Sequence, residues 1–192
     1  MITFNVNTFP LKNKTVLVRV DYNVPIKNKI IANNQKIKVS IPLIKYLLQN
    51  NCKIILATHL GRPDGKIVPC LSTKLLLPEL KKLLPQEKIT HLHDCFGKEI
   101  KLTIDKASPQ TIFLLENLRF YKEEEQNDQL FAHSLAQLAE IYINDAFAVS
   151  HRPHASVEAI THYLPSLMGQ SLQTEITQLS KALEPKPPSI WI

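Results

Sequence analysis

The chain alternates short, almost uninterrupted apolar runs with longer stretches in which apolar residues recur at helical spacing. Short apolar runs rich in β-branched residues predict strands that are buried on both faces of a sheet. The strand-like runs are Thr15–Val20, Lys53–Thr58, Ile89–Leu92, Thr111–Glu116 and Ile141–Ile143. The amphipathic stretches predict helices over Ser40–Gln49, Ser72–Leu84, Phe96–Ile104, Asp128–Leu138, Ala155–Tyr163 and Leu172–Leu183.

Strands and helices that alternate in this way are typical of α/β folds. Parallel strands need long crossover connections, and amphipathic helices supply them while covering the sheet. We therefore predict an α/β fold with a doubly wound, mostly parallel, Rossmann-like sheet and helices on both faces. The last residues, Ser189–Ile192, predict the opening of a further strand. Either this strand completes the sheet or the chain is the front part of a longer protein, and we expect the second.

Composition narrows the class of protein. With 192 residues, 44% hydrophobic and 21% charged, the chain has the make-up of a folded domain and not of a disordered segment. Its net charge of +6 favours an anionic ligand, which could be nucleic acid, an anionic membrane or a small phosphorylated metabolite. The four glycines cannot form a GxGxxG or GxxxxGK[ST] motif, so we expect no glycine-rich nucleotide cradle in this chain.

The cysteines and the N-terminus indicate a compartment. Cys52, Cys70 and Cys95 are isolated, which supports neither a zinc ribbon nor a disulfide framework and favours a reducing environment. No basic segment followed by an apolar core opens the chain, and no apolar run approaches the roughly 18 residues of a membrane span. We expect a cytoplasmic protein with no membrane partner.

Polar residues follow the predicted strands, where open α/β sheets bind their ligands. They are Asp21 and Asn23, then His59, Gly61 and Arg62, then Asn117 and Arg119, then Asn144, Asp145, His151, Arg152 and His154. Three of the chain's four arginines lie in these loops, whereas its 19 lysines are spread along the chain. Because a guanidinium group grips carboxylates and phosphates with two hydrogen bonds, this pattern favours a small molecule that bears both groups.

Simpler interpretations exist for each group. Asp21 and Asn23 could cap a turn, and His59 could be a packed core histidine. His151 and His154 could bind a metal with Asp145, but their spacing is not that of a helical ligand pair, so we expect no metal site. We interpret Glu123–Glu125 as a solvated helix entrance. The lysines lack interleaved aromatic residues, so we expect no nucleic-acid partner.

Four longer motifs carry a resemblance to a known family. They are Val18–Pro25 (VRVDYNVP), Thr58–Pro63 (THLGRP), Leu114–Phe120 (LLENLRF), and Tyr142–Phe147 (YINDAF) followed by His151–Ser156 (HRPHAS). In this order they closely resemble the motifs of phosphoglycerate kinase, and the resemblance runs from about Lys12 to the C-terminus.

The resemblance implies a phosphoryl transfer of glycolysis, between 1,3-bisphosphoglycerate and ADP. It implies that residues 1–170 form a phosphoglycerate-binding N-terminal domain, and that residues 171–192 form the interdomain helix and the first strand of an absent nucleotide-binding domain. The absent lobe would bind Mg-ATP or Mg-ADP, this chain would hold no cofactor, and it would be an inactive monomer alone. The alternative is a non-catalytic module that binds a phosphorylated metabolite.

The resemblance also implies roles for individual residues. The expected substrate-binding residues are Asp21, Asn23, Lys36, His59, Arg62, Arg119 and Arg152. Lys36 and Arg152 are the expected catalytic residues, and His151 is a second-tier candidate. Lys36 stands where the family has an arginine considered to stabilise the transferring phosphoryl group, and lysine offers the charge without the planar fork.

Overall fold

The structure, a computed structural model, describes residues 4–6, 9–27 and 30–183. Its strands are Phe4–Asn5 (β1), Thr15–Val20 (β2), Ile26–Lys27 (β3), Ile30–Ile31 (β4), Lys53–Ala57 (β5), Ile89–His91 (β6), Ile112–Leu114 (β7), Ile141–Asp145 (β8) and Ser166–Met168 (β9). Its α-helices are Gln35–Gln49 (α1), Leu77–Leu83 (α2), Lys98–Lys106 (α3), Lys122–Glu125 (α4), Gln129–Ala136 (α5) and Gln170–Leu183 (α6).

Seven of these strands form one parallel sheet in the order β1-β9-β8-β2-β5-β7-β6. Strand β2 lies near the middle, where Val18 is paired with Leu56 of β5 on one side and with Ile143 of β8 on the other. The short strands β3 and β4 form a separate antiparallel pair. The prediction of a doubly wound parallel α/β sheet is therefore confirmed.

Two hydrophobic cores lie on opposite faces of the sheet. Successive residues of a strand point to opposite faces, so Val16 and Val18 of β2 belong to one core and Leu17 to the other. Helices α1 and α2 cover the first core, and α3 and α5 cover the second. Arg19 lies on the same face of the sheet as Leu17, so its charged side chain lies inside the second core.

Helix α1 begins five residues earlier than predicted. The prediction placed Pro42 in the first turn, but Pro42 lies inside the helix. The chain can enter the helix at Gln35 because the Asn33 side chain accepts a hydrogen bond from the Gln35 amide at 2.8 Å. This earlier start places Lys36 in the first helical turn, beside the carboxyl edge of the sheet.

The predicted helix Ser72–Leu84 is wrong over its first half. Thr73–Leu76 forms a 3-10 turn, and the α-helix begins at Leu77. Pro78 explains the difference, because proline is tolerated in a first turn but disrupts the interior of a longer helix.

The predicted helix Ala155–Tyr163 is wrong as well. The segment is a series of turns that ends in a 3-10 turn at Ala159–His162. Its first amides are bound elsewhere, since Ala155 N donates to the Glu124 carbonyl and Ser156 N to the Glu124 side chain, each at 2.9 Å.

Several short elements were not predicted, namely β1, β9 and the β3–β4 pair. They are only two or three residues long, so they carry too little periodicity to be recognised. The predicted strand Ser189–Ile192 lies outside the described residues. No helix in the described part of the chain is long and apolar enough to cross a bilayer.

Candidate anion-binding site

Four loops meet at the carboxyl edge of the sheet, because the strands that precede them, β8, β2, β5 and β7, are consecutive neighbours. Between these loops and the start of α1 lies a cavity of about 120 Å³. Its lining residues are Asp21, Asn23, Lys36, His59, Arg62, Arg119, Ala148, Val149 and Arg152. The structure therefore brings all seven expected substrate-binding residues to one cavity, together with two apolar residues that sequence reasoning did not include.

The lining is strongly cationic. It contains one lysine and three arginines against a single carboxylate, that of Asp21. The Lys36 ammonium donates to Asp21 Oδ2 at 2.7 Å, and Asp21 Oδ1 accepts from the Asn23 amide at 3.1 Å. Asp21 thus offsets one of the four positive charges, and the remainder favours an anionic ligand.

Arg119 is the most buried of the three lining arginines, with 3% of its surface exposed. Its Nη1 donates to the Gly61 carbonyl at 3.1 Å. Its Nε lies 3.2 Å from a Glu125 carboxylate oxygen but is not aligned for a hydrogen bond. Burial, opposed in part by Glu125, lowers the pKa of Arg119 below its ordinary value. Arg119 lines the cavity, so its positive charge is available to an anion there.

The other two arginines are more accessible. Arg62 is exposed on the loop after β5, and Arg152 is half-buried in the loop after β8. His151 is exposed and is not among the lining residues, but its Nε2 accepts a hydrogen bond from Arg152 Nε at 3.2 Å. His151 is therefore placed to orient Arg152.

The loop after β5 is held by Asn117, which is fully buried. Asn117 Oδ1 accepts from the amides of Leu60 and Arg119 at 3.2 and 3.1 Å, and Nδ2 donates to the carbonyls of Leu60 and Leu71 at 2.7 and 2.9 Å. These four hydrogen bonds use both functional atoms of the amide and join the loops that carry Arg62 and Arg119.

Gly61 is required where the loop turns. Its φ of +65° lies in the left-handed region, and a Cβ there would lie 2.7 Å from a methyl carbon of Leu71. Its amide donates to Asn23 Oδ1 at 3.0 Å, which connects the loops after β2 and β5.

His59 is a neutral group at the inner end of the cavity, with 3% of its surface exposed. Burial lowers the pKa of His59 to about 2, and the neighbouring Arg19 charge adds to the effect. Its Nδ1 lies 3.1 Å from Arg19 Nη2. His59 is therefore a packed histidine that also lines the cavity.

Sequence reasoning missed a buried polar network behind the cavity. Arg19, Glu124 and Ser156 are each fully buried and are connected by hydrogen bonds. The interpretation of Glu123–Glu125 as a solvated helix entrance is wrong for Glu124, whose carboxylate binds Ser156. The available signal was Arg19 itself, because a charged residue in an otherwise apolar central strand needs buried partners.

The residues considered for a metal site have separate partners. The Asp145 carboxylate accepts from the Ser171 and Leu172 amides at the start of α6, at 2.8 and 3.3 Å. His154 is buried beside Glu124, with 3.9 Å between its Nδ1 and the carboxylate. Within the described residues, no group of three or more potential ligands is arranged to hold a metal ion.

A larger cavity of about 660 Å³ adjoins the cationic one, and Asn23 lines both. Apolar residues such as Val24, Leu60 and Leu75 dominate its lining, which includes no charged side chain among the residues that the structure describes. The smaller cavity is the better candidate site, because charge recognition and not volume distinguishes it.

The chain matches the family model described as phosphoglycerate kinase over residues 6–192. It is 44% identical over 193 residues to phosphoglycerate kinase of Moorella thermoacetica, covering 100% of this chain and 49% of that protein. It is 46% identical over 184 residues to the enzyme of Bartonella bacilliformis, covering 95% of this chain and 46% of that protein.

The fold agrees with these similarities. A solved phosphoglycerate kinase structure from Coxiella burnetii superposes with a TM-score of 0.86 at 31% identity, covering 97% of this chain and 46% of that one. The chain thus spans about half the length of the relatives that it matches.

Proposed function

The chain belongs to the phosphoglycerate kinase family, and on that premise we propose that its cationic cavity binds 3-phosphoglycerate or 1,3-bisphosphoglycerate. One observation carries the proposal. Residues from four separate loops and from helix α1 line one small cavity with four cationic side chains and one carboxylate. A three-carbon acid phosphate carries negative charge at both ends and a hydroxyl between them, which suits this lining.

Each polar residue of the lining has a proposed task. Arg62, Arg119 and Arg152 bind the phosphate that is not transferred, because guanidinium groups hold phosphate oxygens in pairs. Asp21 and Asn23 orient the hydroxyl. These contacts fix the substrate in one orientation.

His59, Lys36 and, in a second role, Arg152 act at the reacting end. His59 donates a hydrogen bond to the substrate. Lys36 and Arg152 are the proposed catalytic residues, which stabilise negative charge on the phosphoryl group as it moves. Lys36 must exchange part of its interaction with Asp21 for this contact, since the two groups are 2.7 Å apart.

The proposed reaction moves the acyl phosphate of 1,3-bisphosphoglycerate to ADP. The bond between phosphorus and the carboxyl oxygen breaks, and a new bond forms to the terminal phosphate oxygen of ADP, which yields 3-phosphoglycerate and ATP. Such a transfer depends mainly on positioning and on charge stabilisation. The residues of this chain supply both for the phosphoglycerate half.

The magnesium nucleotide does not fit the residues described. They offer no cluster that could hold a metal ion, and the four glycines of the chain form no phosphate cradle. We therefore assign the nucleotide to a second lobe, as the relatives of about twice this length suggest.

The same proposal covers the domains and the setting of the protein. Residues 1–170 form the phosphoglycerate-binding domain, and residues 171–192 continue into the interdomain helix and the second lobe. The chain alone is a monomer that binds substrate but does not turn it over. Three free cysteines support a reducing, cytoplasmic location.

Calorimetry of the chain with 3-phosphoglycerate tests the binding proposal. We expect a dissociation constant on the order of millimolar that weakens as salt is added, because the contacts are between charges. Glycerate, which lacks the phosphate, is the matched control ligand and should give no heat. The absence of salt-sensitive binding at millimolar 3-phosphoglycerate would overturn the site assignment.

An assay of the complete gene product separates the kinase from a non-catalytic binding module. Turnover of 1,3-bisphosphoglycerate with ADP supports the kinase. Lys36→Ala should lower kcat by about 100-fold, as loss of a transition-state contact does. Lys45→Ala, an exposed lysine of the same helix, is the control and should leave kcat unchanged. No turnover by the parent protein would favour the module.

A further inference from the structure

Arg19 is a fully buried arginine whose guanidinium group uses all three of its nitrogens. Nη1 donates to the Val20 carbonyl at 2.6 Å, Nε to Ser156 Oγ at 2.9 Å, and Nη2 lies 3.1 Å from His59 Nδ1. The planar fork therefore has a single orientation, and one of its corners is aimed at the histidine that lines the cavity.

Glu124 determines the direction of the hydrogen bonds in this network. Its Oε1 accepts from Ser156 Oγ at 2.6 Å and its Oε2 accepts from the Ser156 amide at 2.9 Å. Because Ser156 gives its only hydroxyl proton to Glu124, its oxygen is free to accept from Arg19. Glu124 also lies 4.0 Å from Arg19 Nη2 and balances its charge.

The geometry at His59 then allows one protonation state. Arginine has only donors, so a hydrogen bond from Arg19 requires a lone pair on His59 Nδ1. The ring proton must be on Nε2, the nitrogen that remains for a ligand. An imidazolium would instead present an N–H group directly to an N–H group of Arg19.

We propose that the Glu124–Ser156–Arg19 network is a positioning device, which holds His59 as the neutral Nε2–H tautomer and so provides a fixed hydrogen-bond donor in the cavity. Arg19 acts through His59 and does not line the cavity. The inference rests on the proposed function only for the identity of the ligand.

The charges around His59 support a neutral ring. Arg19 on β2, Arg119 after β7, His154 after β8 and Lys36 on α1 all act on it, and each disfavours a further positive charge there. The hydrogen bonds of Glu124 go to Ser156 and its charge is balanced by Arg19, and Asp21, which lines the same cavity as His59, is paired with Lys36. With Arg19 in place, we expect His59 to remain neutral through the pH range in which free histidine titrates.

NMR of the ligand-free chain with ¹⁵N-labelled histidine tests the inference directly. The His59 resonances are assigned by their loss in His59→Gln. We expect a protonated Nε2 and an unprotonated Nδ1, unchanged between about pH 8 and pH 5. A proton on Nδ1, or conversion to an imidazolium within that range, would overturn the proposal.

Two variants test whether the network causes this state. Arg19→Lys keeps the charge but cannot contact His59 and Ser156 with one rigid fork, so both tautomers should be populated and a titration should appear. Ser156→Ala is the milder variant, should Arg19→Lys fail to fold. Ser156→Ala removes one hydroxyl and frees the Arg19 guanidinium group to rotate. His59 should therefore again populate both tautomers.

Thr111→Val is the matched control, since it removes a buried hydroxyl at the opposite end of the sheet. Thr111→Val should lower the stability of the fold about as much as Ser156→Ala does, and it should leave the His59 resonances unchanged. If Ser156→Ala and Arg19→Lys also leave them unchanged, the network does not position His59. If the Nε2–H state is found but 3-phosphoglycerate does not bind, this inference stands and the proposed function fails.

Discussion

At the scale of single residues, the groups that shape the cavity are held by neighbours that do not line it. Asn117 is the strongest example, because its amide joins the loops of Arg62 and Arg119 through four hydrogen bonds. The resemblance between motifs includes Asn117, but only the coordinates reveal that both of its functional atoms are used.

Asn117→Asp should destabilise the chain and weaken substrate binding together. The carboxylate cannot donate to the Leu60 and Leu71 carbonyls, so two buried acceptors lose their donor, at a cost of about 2–3 kcal/mol. Asn33→Asp is the control, since Asn33 only accepts a hydrogen bond, from Gln35. Urea unfolding and calorimetry measure the two effects, and equal stability of both variants would contradict the assigned role.

Arg62 allows a separate test of bidentate recognition. Arg62→Lys retains the positive charge but loses the planar fork, so the affinity for 3-phosphoglycerate should fall by about tenfold. Lys122→Ala removes an exposed charge outside the cavity and should change the affinity by less than about twofold. Calorimetry measures the affinity of each variant for 3-phosphoglycerate. Equal affinities would mean that Arg62 does not contact the ligand.

At the scale of elements, the start of helix α6 is attached to the end of strand β8. Asp145 accepts from the first amides of the helix, and its backbone carbonyl accepts from Ser171 Oγ at 3.0 Å. Gly169 makes this contact possible, because a Cβ there would lie 2.6 Å from the Asp145 Cβ and Cγ atoms.

Gly169→Ala should therefore loosen α6 without unfolding the sheet. The new methyl group must displace Asp145, which we expect to cost about 1–3 kcal/mol. Hydrogen exchange should accelerate at the Ser171 and Leu172 amides, while the amide of Val18 in the central strand stays protected. Unchanged exchange at the start of α6 would show that Asp145 does not hold the helix.

At the scale of the whole molecule, buried neutral histidines make the fold sensitive to acid. The pKa of His59 is lowered to about 2, first by burial and then by Arg19. Below the ordinary histidine value of about 6.5, the unfolded chain binds a proton that the folded chain does not. His59 therefore contributes its full stability above that pH, and the contribution is lost progressively as the pH falls.

The free energy of unfolding should fall by about 1.4 kcal/mol per pH unit on account of His59 as the pH is lowered from about 6 to about 4.5. In His59→Gln, the free energy of unfolding should depend less steeply on pH, by that amount per pH unit. Burial raises the pKa of Asp145, which acts in the opposite direction, but Asp145 is common to both proteins and cancels in the comparison. Urea unfolding at several pH values provides the measurement, and parallel profiles would contradict a neutral His59.

The hydrophobic pattern alone determined the class of fold. Apolar runs such as Thr15–Val20 can be satisfied only inside a covered sheet, and the helical spacing between them supplies the covering layers. The same pattern placed polar residues after the strands, so Asp21, His59 and Arg119 could be selected before their positions were known. The prediction of the fold class is confirmed because periodicity is a local property of the chain.

Only the tertiary structure decided which distant residues meet. Arg19 and Ser156 are 137 positions apart, yet their hydrogen bond and that of Ser156 with Glu124 keep a charged side chain inside the sheet layer. The same contacts bury Glu124, which local charge suggested was solvated, and divert the segment Ala155–Tyr163 from helix into turns. A local pattern states how polar a residue is but not which partner will satisfy it, because that depends on the packing of the whole fold.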